Sequence, residues 1–241
     1  MNNQPVPSSE PFTKFRLKGD ASVTVNVVEC ANTAHVDVKI NHPDAVTVDQ
    51  RIDSGTCVVS AARTYPKGVN GKKDFIGNLR EAVAKDSLSA LLGAVTKNIL
   101  SGNLASDTGS QVTIELRVPQ GFTDIELESE NMDVSVIHSF LHRMSVKSTN
   151  LDFKSSEILD IDSLTITGTN SDVDLVVGGN MKHARIKGTN ADIKIRRHSG
   201  YKGCVRVTGS NLDISGNLDG DATSGVVSCD VTNGDVMVVS I

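Results

Sequence analysis

The chain has 241 residues, with 24 Lys and Arg against 29 Asp and Glu, a formal net charge of −5 and 38% hydrophobic residues. That length can bury one good core, and the modest charge excludes whole-chain attraction to nucleic acid or to a membrane surface. With no Trp, two Tyr and six Phe, aromatic platforms for sugars or unpaired bases are poorly provided for.

Residues 1–11 are polar, carry no apolar h-region, and read as a disordered N-terminus without a signal peptide. No run reaches the length of a membrane span, so the expected compartment is the cytoplasm. Residues 12–111 read as an N-terminal β region or cap. Strand-like runs fall at 15–17, 23–28, 36–40, 45–48 and 56–61, separated by turns at Lys18-Gly19-Asp20, Asn41-His42-Pro43-Asp44 and Asp53-Ser54-Gly55. Then Phe75, Ile76, Leu79, Val83, Leu88, Leu91, Leu92, Val95 and Ile99 recur at helical spacing and predict a helical insertion over 72–104. Such a helix either covers an open sheet end or projects toward a partner. A strand at 112–119 follows.

From 112 to 241 one phrase recurs six times, as at Thr169-Asn170-Ser171-Asp172 and Thr189-Asn190-Ala191-Asp192. Its Asn residues, 131, 150, 170, 190, 211 and 233, are 19, 20, 20, 21 and 22 residues apart. A period in this range marks units that bury their apolar side only by stacking on one another. Three residues after each Asn stand Val134, Phe153, Val173, Ile193, Ile214 and Val236, and four before stand Leu127, Val146, Ile166, Ile186, Val207 and Cys229. Polar residues alternate with these columns, so the runs are half-buried strands. The expected fold is all-β: a right-handed parallel β-helix of about six ~20-residue coils over 112–241, continuous with the N-terminal region. The four cysteines contain no C-x-x-C pair and read as reduced core side chains.

The run V-T-I-E-L-R-V-P-Q-G at 112–121, followed by I-E-L-E-S-E-N-M-D-V-S-V at 125–136, resembles the DUF4097 family, an adhesin-labelled group of β-strand-repeat proteins. The corner Asn233-Gly234-Asp235-Val236 comes close to that family's S-G-D-V. The likeness extends from about Phe15 to Ile241. It implies a β-helix and brings no catalytic residues with it.

Asn131, Asn150, Asn170, Asn190, Asn211 and Asn233 are expected to form a structural ladder, turning their amides into the corner to satisfy backbone groups. Asn also tolerates the left-handed conformation that such corners need. The Asp two residues further on should stay solvated and accept turn N–H groups. The alternative use is calcium bridging by Asp152, Asp172 and Asp192. Lys154, Asp174 and Lys194 alternate in sign in the next column and are expected to pair across coils. His138 and His142, four apart, read as loop histidines without a carboxylate partner rather than as metal ligands.

Charge is segregated: Lys182, Arg185, Lys187, Lys194, Arg196, Arg197 and Arg206 lie in one stretch as a candidate binding face, with Arg185 stacked directly on Arg206. Asp124, Glu126, Glu128 and Glu130 give the first coil an acidic face. No catalytic constellation, metal site or cofactor motif is present, so the expectation is a non-catalytic scaffold binding another macromolecule. A protein partner or self-association is the leading case, with a polyanion possible. A carbohydrate-active β-helix enzyme and a polymerising bactofilin-like scaffold are the alternatives. The sequence ends in mid-strand at Met237–Ile241, which points to self-association, as a homodimer, through an open C-terminal coil.

Overall fold

Period-two alternation becomes strand throughout the described part of the molecule. The computed structural model describes residues 10–64, 110–138 and 140–241, and the predicted helical insertion at 72–104 lies outside them. The described chain is all-β, with β1 (Lys14–Gly19), β2 (Ser22–Glu29), β3 (His35–Ile40), β4 (Val46–Asp53), β5 (Thr56–Arg63), β6 (Val112–Val118) and β7 (Phe122–Ile137). They continue as β8 (Phe140–Ser155), β9 (Asp160–Val177), β10 (His183–Arg197), β11 (Cys204–Gly209), β12 (Leu212–Gly216) and β13 (Val226–Ser240). All thirteen join one large, mostly parallel sheet that does not close into a barrel.

Each repeat forms one layer, bent at its Asn corner into two arms. The repeat period becomes the pairing register: Asn131 faces Asn150, Asn150 faces Asn170, and Asn170 faces Asn190. The side-chain parity changes at the corner, so Leu164 and Ile166 point inward before it and Val173 and Leu175 after it, while Thr169 and Asn170 are both exposed. The inward columns of successive layers fuse into one core running from Phe12 to Val238.

The N-terminal strands belong to the same stack. β1 pairs with the first arm of β7 and β2 with its second arm, so together they make a layer in register, with Ser22 opposite Asn131. β5 and β6 make the next layer outward on β1 and β2. β3 and β4 finish that end, running antiparallel on β6 and β5.

At the other end the layers are out of sequence order. β13 pairs directly with β10, Asn190 facing Asn233, and β11 and β12 then pair on the far side of β13. This corrects the expectation of an open C-terminal coil: the last strand is an interior layer, and the edge is β11–β12. The swap needs close backbone approach at the β13 corner. A Cβ on Gly234 (φ 135°) would sit 2.1 Å from the Ala191 carbonyl oxygen. The edge corner is built differently, with Gly209 at φ 147° and Asn211 at φ 53°. Asn211 is the one ladder Asn in the left-handed region, which Asn tolerates better than most residues.

Candidate functional site

The Asn residues do not turn inward as the sequence suggests. They stand at the surface and bond one another. The Nδ2 of Asn150 donates to Asn131 Oδ1 (2.6 Å), Asn170 to Asn150 (2.8 Å), Asn190 to Asn170 (2.9 Å), Asn233 to Asn190 (3.1 Å) and Asn211 to Asn233 (3.0 Å). The row crosses the layer swap without a break, because each amide needs only a neighbour in register.

Two residues on, the Asp column is exposed, and Asp152, Asp172 and Asp192 are direct register partners. Asp192 Oδ1 accepts the Asp235 backbone N–H from the next layer (3.2 Å) rather than a turn N–H of its own layer. Partial desolvation against the strand surface, then the Asp152 charge, hold the Asp133 carboxyl above its ordinary range although the residue is exposed. A shallow groove of about 370 Å³ follows this column past Lys154, Asp174, Lys194 and Met237. Among the described residues no three His, Cys, Asp or Glu side chains converge as metal ligands, and that includes Asp152, Asp172 and Asp192. The alternating Lys154–Asp174–Lys194 pairing is replaced: Asp174 accepts from Arg196 Nε at 2.7 Å.

The candidate basic face divides by role. Arg196 also bonds the Ser155 carbonyl (3.0 Å), and both it and Asp174 are half-buried. Arg197 donates to the backbone carbonyls of Asn217 (2.9 Å), Asp219 (2.9 Å) and Gly203 (3.0 Å) and lies over the Tyr201 ring. These two tie down returns between layers. Lys194 faces the groove on the second arm. Lys182, Arg185, Lys187 and Arg206 lie on the first arm, but Ser228 of β13 separates Arg185 from Arg206, so the two do not stack directly. Lys182 pairs with Asp162 (2.6 Å) and Lys187 with Asp230 (3.7 Å). Arg185, Lys194 and Arg206 make no ion pair among the described residues.

The acidic face of the first coil is balanced by its neighbours. Glu126 binds Arg16 of β1 (2.5 Å), Glu128 binds Lys147 of β8 (2.7 Å), and Asp124 lies between Lys14 (3.6 Å) and Arg143 (3.4 Å). Hydrogen bonds from Arg16 and Lys147 hold the Glu126 and Glu128 carboxyls below their usual range. Sequence reading missed this, because Lys14 and Arg16 are separated from these acids by roughly 110 residues and meet them only through the layer order.

His138 and His142 part company. His138 is buried, accepting the Phe140 N–H on Nδ1 (3.1 Å) with its Nε2 at the Val118 carbonyl (3.1 Å). His142 is exposed and does have a carboxylate partner, Asp162, at 2.7 Å. The Asp162 carboxyl is held low by Lys182 first and His142 second. The cysteines form no disulfide, and burial pushes Cys57 to about 11 and Cys229 to about 12, which keeps both thiols protonated.

No family model matches the chain, so the DUF4097 likeness rests on its motifs alone. No curated protein matches it. Among solved structures it is similar to a "putative cell adhesion protein" from Clostridium sporogenes, at 11% identity and a TM-score of 0.42, over 98% of this chain and 100% of that one. At that level the likeness assigns neither fold nor function. Among the described residues no helix is long and apolar enough to cross a membrane.

Proposed function

We propose that this protein is a non-catalytic interaction scaffold, a right-handed parallel β-helix whose first-arm surface on β10 binds an acidic macromolecule. The observation that supports the reading is an imbalance of charge compensation. At β7 the outward acids Asp124, Glu126 and Glu128 of the first arm each find a cation in an adjacent layer. At β10 the outward cations Arg185 and Lys187, with Lys182 just before the strand, meet two acids, Asp230 and Asp162, and Arg185 faces only Thr165 and Ser228. The Lys182 and Lys187 ion pairs are exposed, and such pairs contribute at most about 1 kcal/mol, so both cations can be recruited by a partner. Arg185 is free to fork onto a carboxylate or a phosphate.

Charge reversal tests this. An Arg185→Glu/Lys187→Glu variant should lose a partner that the wild type captures from lysate, with an unchanged melting temperature. Capture by the wild type should fall steeply between low and high salt. Equal capture by both proteins would remove the β10 surface from consideration. Loss only on deletion of residues 72–104 would move the site to that segment.

A further inference from the structure

We propose that the open β11–β12 edge is a self-association surface, on which a second copy of this chain lays its own β11–β12 layer antiparallel across a two-fold axis at the Gly209–Asn211 corner. The interaction is separate from the β10 surface above.

The edge has free pairing capacity in a defined phase. The Cys204 N–H points to β13, donating to the Gly225 carbonyl (3.1 Å), whereas the Val205 N–H points off the edge and is already taken by the Leu218 carbonyl (3.0 Å), so the unpaired part of β11 begins at Val207. Backbone direction alternates along a strand, so Val207 presents its N–H and C=O outward. On β12 the Asn211 carbonyl accepts from Gly234 of β13 (3.3 Å), which leaves Leu212 and Ile214 facing off the edge. The same residues occupy the inward side-chain columns and are under-covered: Val207 and Leu212 are half-buried and Ile214 is 49% exposed.

A reverse-running layer satisfies both needs, and the molecule already carries one. At the opposite end β3 lies antiparallel on β6 and β4 on β5. A second copy repeating that arrangement sets its β11 on β12 and its β12 on β11. Inward residues must face inward residues, and Leu218 already fills the position beyond Val205, so Val207 falls opposite Ile214 of the second copy, with only the terminal Gly216 of β12 left facing Val205. Arg206 is then diagonal to Asp213 of the second copy, within reach of a long side chain. Neither the Arg206 nor the Asp213 side chain has an ion-pair or hydrogen-bond partner among the described residues. The edge is thus self-complementary in charge, and two-fold symmetry makes the contact twice, which favours a second copy over an unrelated strand. Open head-to-tail stacking is opposed by the far end, whose strands carry His35, Asp37, Lys39, Asp49, Arg51 and Asp53.

Sedimentation velocity on the full chain from roughly 1 to 100 μM reads the assembly directly. The wild type is expected to sediment as a dimer. Arg206→Asp and Asp213→Arg should each weaken dimerisation by about tenfold or more through doubled like-charge contacts. An equimolar mixture of the two should recover wild-type affinity as a heterodimer, which a folding defect cannot produce. Far-ultraviolet circular dichroism and melting of each single variant check that the fold is kept. A wild type that stays monomeric, growth past the dimer, or a mixture no tighter than its components would each overturn the proposal. Capture through Arg185 and Lys187 is read separately and stands or falls on its own.

Discussion

The two ends of the stack finish the same kind of layer in opposite ways. Ile114 of β6 and Ile214 of β12 occupy one inward column, linked through Val25, Val134, Phe153, Val173, Ile193 and Val236. Ile114 is 0% exposed because β3 covers it, whereas Ile214 is 49% exposed because no described strand lies beyond β12. Residue type and register are therefore not enough to bury a side chain; a further layer must exist. The N-terminal end supplies its cover within the chain, by an antiparallel return with charged edge strands. The C-terminal end turns its last strand inward and leaves a short layer outside.

Truncating the two isoleucines measures that difference most directly. Ile114→Ala should cost about 2–5 kcal/mol in urea unfolding, and Ile214→Ala less than about 1 kcal/mol in a monomeric background. Equal losses would mean that the edge layer is covered in solution.

Arg197 gives the next largest effect. Its guanidinium holds the return that carries the chain from β12 back to β13, through the Asn217 and Asp219 carbonyls. Arg197→Ala is expected to cost about 1.5–3 kcal/mol and to speed amide exchange across 217–225, leaving β3 and β4 unaffected.

The ladder separates interior from end on a smaller scale. Asn170 takes part in two side-chain bonds and Asn131 in one. Asn170→Ala should cost about 1 kcal/mol and Asn131→Ala about half that, the low end for hydrogen bonds because the row is exposed.

Asp133 gives the smallest effect and the opposite sign. Its folded carboxyl titrates above the unfolded one, so the folded state binds the extra proton and loses stability as pH rises through that window. Asp133→Asn should therefore stabilise at neutral pH by at most about 0.5 kcal/mol, with the gain vanishing below the carboxylate range. Glu126 and Glu128 behave in reverse. Their lowered values contribute stability above the unfolded pKa that is lost as pH falls through the folded one.

Much of the layer plan is legible in the sequence. The inward columns Val134, Phe153, Val173, Ile193 and Val236 are buried because period-two alternation leaves one face apolar, and the strands before residue 64 fall where their turn residues place them. The Asn row was legible as a column, but not its direction, since the parity change at the corner puts Thr169 and Asn170 on the same exposed side. The candidate basic face was legible only as a stretch of chain. Arg196 and Arg197 became structural because their partners, Asp174 and the 217–219 backbone, lie one layer away in space.

The sequence by itself determined what a layer is: about 20 residues, two arms, an Asn at the corner and apolar columns of fixed spacing. It did not determine the order of the layers. A repeat in register offers nearly the same backbone groups and apolar columns to any other repeat, so Asn190 can face Asn211 or Asn233 with similar local satisfaction. Only the tertiary structure decides between them. The longer return at 217–225 lets the chain step back over one layer, the Arg197 clamp fixes that return, and Gly234 permits the close approach to Ala191. Local pattern specifies a layer because side-chain parity is set within a few residues, whereas layer order depends on contacts between segments that share no sequence neighbourhood.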